Sequence, residues 1–110
     1  MGQLFHITEQ TSWLSAQRNG VYRAPSLNTE GFIHLSEAHQ VVQTANRFYQ
    51  GKTGLVLLEI NPNKLKAKLQ FDQVLDHGTF PHLYGELNLD AVEAERVLDV
   101  SDEGIFTGWH

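Results

Sequence analysis

"GFIHLSEAHQVVQTANRFYQG", residues 31–51, changes its period part-way along. Up to Ser36 the side chains alternate as in a strand, with Phe32, His34 and Ser36 on one face and Ile33 and Leu35 on the other. Beyond Ser36, residues Val41, Ala45, Phe48 and Tyr49 fall at helical spacing, a core-facing stripe that Ser36 would cap and Gly51 would end. The aliphatic run "LVLLEI" at 55–60 follows and is short enough to be a central strand.

Working outward, "QLFHIT" (3–8) reads as a first strand with Leu4, His6 and Thr8 on one face. Thr8 would then cap a helix over "EQTSWLSAQRNG" that Gly20 ends. A short strand is expected around Val21 to Arg23, inside a loop. After "NPNK", the alternation of Leu65, Ala67, Leu69 and Phe71 predicts another strand, entered through one helical turn at Pro62, with Lys64, Lys66 and Lys68 on its wet face. "FPHLYGEL" (80–87) is a further strand, and "LDAVEAERVLDV" a helical turn followed by a strand. Residues 101–110 form a tail, docked through Phe106 and Trp109. Two main helices and five to six strands in no regular alternation disfavour a doubly wound parallel sheet. They predict an α+β fold with a mostly antiparallel mixed sheet, one domain over residues 1–110.

Composition narrows the chemistry. A chain of 110 residues suits one domain. It contains no cysteine, which excludes disulfides, thiolate metal sites and thiol nucleophiles. The net charge of −5 has the wrong sign for broad nucleic-acid binding. No basic region followed by a long apolar run opens the chain, and no later stretch is apolar enough to span a bilayer; a soluble, cytoplasmic protein is expected.

His6, His34 and His82 each stand two residues before a hydroxyl, Thr8, Ser36 and Tyr84, so each imidazole shares a strand face with its hydroxyl. Such faces could line one cleft, where imidazoles donate, accept or carry charge and hydroxyls orient a sugar or phosphate. For any one histidine alone, a buried imidazole satisfied by backbone is the commoner occurrence. Metal ligation is disfavoured because no paired-histidine motif is present. A serine triad is disfavoured because Ser36 lies in no nucleophile elbow. Glu86 reads as a solvated carboxylate.

"GFIHLS", "LVLLEI" and "FPHLYG", in that order, closely resemble a bacterial family known as domain of unknown function 952. More distantly, "LFHIT", a helix bearing Trp13, "FIHLS" and "TANR" resemble ADP-ribosyltransferase-type domains, especially NAD-using RNA 2′-phosphotransferases. That resemblance implies an ADP-ribosyltransferase-like fold and a small-molecule nucleotide ligand, with NAD as a substrate and no cofactor required. It implies that His6, His34 and Arg47 hold the nucleotide and that His82 supplies the third element. On this reading His34 and His82 are catalytic, His6, Thr8, Ser36 and Arg47 bind ligand, and Tyr84 stacks on a base. Two alternatives stay open: a non-catalytic module binding a nucleotide or anion, and histidines that merely pin loops to the sheet.

Overall fold

The computed structural model describes residues 2–110. In chain order the elements are β1 (Leu4–Glu9), α1 (Gln10–Asn19), β2 (Val21–Tyr22), α2 (Pro25–Thr29), β3 (Ile33–His34), β4 (Ser36–Glu37), α3 (Val41–Phe48) and β5 (Leu55–Ile60). Then come β6 (Lys68–Val74), β7 (Gly78–Tyr84), β8 (Leu87–Asn88), β9 (Val92–Arg96), β10 (Leu98–Val100) and β11 (Phe106–Trp109). Single 3-10 turns sit at Ala38–Gln40, Pro62–Lys64 and Leu89–Ala91.

All strand pairings among the described residues are antiparallel. One sheet has the order β4-β1-β5-β9 and a second the order β3-β7-β6, with two-stranded ladders β2-β8 and β10-β11 beside them. The α+β class with mostly antiparallel sheet and few helices is therefore present. The expected count of five to six strands is corrected to eleven segments among the described residues, because bends divide runs that alternate continuously in sequence. "FIHLS" is the clearest case. Ile33 and His34 pair with Leu83 and His82 of β7, whereas Ser36 and Glu37 pair with Phe5 and Leu4 of β1. Leu35 between them is buried, and its N–H donates to the Pro81 carbonyl at 3.0 Å. This one segment thus joins the two larger sheets.

Leu58 and Ile60 of β5 pack with Trp13, Ile33, Leu83 and Leu87 in one core cluster. Phe5, Ile7 and Leu57, on the other face of the four-stranded sheet, pack with Val41, Ala45 and Phe106 in a second. The central place of "LVLLEI", between β1 and β9, explains why it is aliphatic on both faces. The C-terminal stretch forms β11, with Phe106 buried and the Trp109 ring 4.8 Å from Phe5.

Two caps expected from sequence are corrected. Thr8 lies within β1, and Glu9 stands at the N-cap of α1. Ser36 lies in β4, while the following 3-10 turn starts after Glu37, whose N–H donates to the Gln40 side chain at 3.0 Å. Both hydroxyls are buried and turned to other work. The Gly20 terminus stands as expected, with φ +84° and its N–H on the Ala16 carbonyl at 2.8 Å. Phe48 leaves the core stripe: it is 56% exposed, with the Arg47 guanidinium over its ring.

Candidate functional site

The pairing of β1 with β4 stops at Phe5 and Ser36. At the next position along β1, the His6 imidazole takes over: its Nδ1 lies 2.6 Å from the His34 carbonyl. A carbonyl only accepts, so Nδ1 carries the proton and Nε2 keeps a lone pair. The Tyr22 hydroxyl, 2.8 Å from Nε2, must donate to it, and the Thr8 hydroxyl, 2.9 Å from the Tyr22 oxygen, donates in turn. A side chain thus replaces a ladder hydrogen bond and holds β1 and β3 apart. Burial pulls the His6 pKa down from 6.5 to about 4 and pushes Tyr22 up to about 12, so this chain of hydrogen bonds is uncharged at neutral pH.

A cleft of about 690 Å³ opens where the strands part. His6, His34 and His82 all line it, as do Thr8, Ser36 and Arg47. The imidazoles that sequence places 28 and 76 residues apart from His6 therefore reach one hollow. Tyr84 is not among its lining residues; instead its hydroxyl is bonded to the Asp72 carboxylate. Lys52, from the loop after α3, also lines the cleft, and neither it nor Arg47 makes an ion pair among the described residues.

His34 and His82 stand directly opposite in register, with ring centroids 5.3 Å apart at an interplanar angle of 78°. The His34 side chain is 48% exposed, and its Nε2 lies 2.9 Å from a Glu30 carboxylate oxygen. His82 is buried. Its Nδ1 is 2.8 Å from Asp72 Oδ2, and its Nε2 is sealed from solvent with no partner. Phe32 stacks on the His82 ring at 4.0 Å and touches the His34 ring edge-on at 4.9 Å. The Gln70 amide at 2.6 Å, the Tyr84 hydroxyl and the His82 imidazole together hold the Asp72 pKa down to about 2. That carboxylate raises the Tyr84 pKa in return.

Ser36 is less available than its position suggests, since its hydroxyl is buried and 3.3 Å from that of Thr44. No three His, Asp or Glu side chains converge as metal ligands among the described residues. Glu86 lies outside the cleft lining and pairs with Arg23 at 2.8 Å.

Residues 7–95 match the family described as protein of unknown function (DUF952). The chain belongs to this family. Protein CC0527 from Caulobacter crescentus shares the DUF952 chain's fold: its crystal structure superposes with a TM-score of 0.86 at 29% identity, covering 96% of this chain and 93% of that one. The solution NMR structure of CC0527 has a TM-score of 0.76 at 30% identity, covering 96% and 91%. No curated protein matches. In this DUF952 chain Tyr22, Glu30 and Asp72 join the site without a role expected from the sequence, and Phe32 was placed on the His34 face without one. Glu30 and His34 are four residues apart, and Phe32 shares the His34 face; both were legible signals. Asp72 comes to His82 only through the β6-β7 register, in which it opposes Phe80.

Proposed function

We propose that the cleft binds a nucleotide sugar of the NAD or ADP-ribose type, and that the chain cleaves or transfers the ADP-ribosyl group as ADP-ribosyltransferase-type domains do. The observation that carries this reading is the convergence of three imidazoles, from β1, β3 and β7, on a single cleft. Its volume of about 690 Å³ lies within the range of roughly 300–1,000 Å³ usual for small-molecule sites. Arg47 and Lys52 are the cations available to a pyrophosphate, and His34, exposed at the cleft, reaches a ribose hydroxyl. His6 has both ring nitrogens engaged by the protein, so its part is to prop the strands apart and to hold the His34 backbone in place. Tyr84 acts through Asp72 and not by stacking on the ligand.

Nicotinamide release from NAD by the purified chain tests the reading. Release is expected, and a folded His34→Ala variant should lose it by at least about tenfold. Absence of release at millimolar NAD, with ADP-ribose still bound, would favour the second reading, a non-catalytic anion-binding module. The observation on that side is that two cations, Arg47 and Lys52, line the cleft without ion-pair partners among the described residues.

A further inference from the structure

We infer that His82, oriented by Asp72, is the general base of this site, and that the acceptor it serves is a hydroxyl, water being the simplest. The inference rests on the ADP-ribosyl reading of the cleft and adds to it the atom that takes the proton.

The geometry begins at Asp72. Its carboxylate accepts from Gln70, Tyr84 and His82, and these donors keep it ionised. An ionised carboxylate only accepts, so the His82 proton on that side sits on Nδ1 and the lone pair on Nε2. His82 lines the cleft and Asp72 does not. The ring edge turned away from Asp72 carries Nε2; that edge is closed to solvent here, so the acceptor reaches it only when ligand binding shifts the side chains that cover it. That nitrogen has no partner among the described residues, an uncommon state for a buried polar atom and one that a ligand hydroxyl would relieve. Phe32 lies flat on the ring at 4.0 Å and keeps bulk water from its face.

The acceptor class follows from what a base is needed for. A phosphate or carboxylate acceptor is already an anion and attacks without losing a proton. A hydroxyl must lose its proton as its oxygen bonds to carbon. In the step, the acceptor oxygen bonds to the ribose anomeric carbon. The bond from that carbon to the nicotinamide nitrogen breaks, and its electron pair stays on nicotinamide, which leaves uncharged. The acceptor proton passes to His82 Nε2, and the imidazolium that results faces the Asp72 carboxylate 2.8 Å away. Asp72 touches no substrate and is a positioning residue.

The test uses the full chain with NAD in water and in water containing methanol. The expected products are ADP-ribose and, with methanol present, methyl ADP-ribose. Asp72→Asn should retain ADP-ribose affinity within about threefold while kcat at neutral pH falls by about a thousandfold to ten-thousandfold, as losing the correct imidazole tautomer does. His82→Ala should lose a similar factor and regain part of it when imidazole is added, a readout that a purely structural role leaves unmoved; it decides the matter if Asp72→Asn does not fold. Wild-type protein that binds no ADP-ribose overturns the cleft reading and this inference together. Binding and turnover with Asp72→Asn and His82→Ala unimpaired, or turnover that requires an anionic acceptor such as inorganic phosphate, overturns the base assignment alone.

Discussion

Replacing His6 by glutamine probes the group that parts the strands, because the titration of His6 is coupled to folding. Its pKa falls from 6.5 to about 4 through burial, and the side chain is only 7% exposed. Between those values an unfolded chain binds the proton and the folded chain does not, so stability rises with pH across the window. The contribution is complete above about pH 6.5, is lost as pH falls, and levels off below about pH 4. A shift from 6.5 to about 4 corresponds to about 3 kcal/mol in full, of which about 2 kcal/mol disappears between roughly pH 7.5 and 5. Asp72, Asp90 and Glu93, whose pKa values are also lowered, lose their contributions only below the usual carboxylate range of roughly 4. Urea unfolding at the two pH values, on wild type and His6→Gln, isolates the imidazole: wild type should lose about 2 kcal/mol more than the variant. Imidazole NMR should show His6 as the Nδ1–H tautomer down to about pH 4. A His6 that titrates near 6.5, or equal pH slopes in the two proteins, would refute the buried bridge.

Two further outcomes check other parts of the account. A Cβ on Gly85 would lie 2.7 Å from the Ala67 Cβ, so Gly85→Ala should destabilise by about 1–3 kcal/mol in thermal or urea unfolding, with partial recovery in the Ala67→Gly background. Glu86→Gln should leave nicotinamide release unchanged, since Glu86 pairs with Arg23 away from the cleft; a loss of more than about tenfold would restore it as a catalytic candidate.

The period of two at His6, His34 and His82 was enough to place these imidazoles on strand faces, because side-chain direction in a strand is a local property. The αL terminus at Gly20 and the turn-then-strand reading of "LDAVEAERVLDV" were legible for the same reason. What escaped was set by distant partners. Leu35 alternates as smoothly as its neighbours, yet the sheet breaks there because β7 claims one side of it and β1 the other. Ser36 and Thr8 have the chemistry of helix caps, but Thr44 and Tyr22 take their hydroxyls instead. Phe48 fits the helical stripe and is nonetheless exposed beside the cleft, where the sheet no longer covers it. Asp72 had no local signal: one carboxylate on an edge strand meets His82 only through register.

The most direct test of a shared nucleotide cleft is an ADP-ribose titration followed through the imidazole resonances of all six histidines. His34 and His82 should shift together with one dissociation constant, while His39, His77 and His110, which do not line the cleft, stay in place. Stationary His34 and His82 resonances at millimolar ADP-ribose, or shifts confined to histidines outside the cleft, would contradict it.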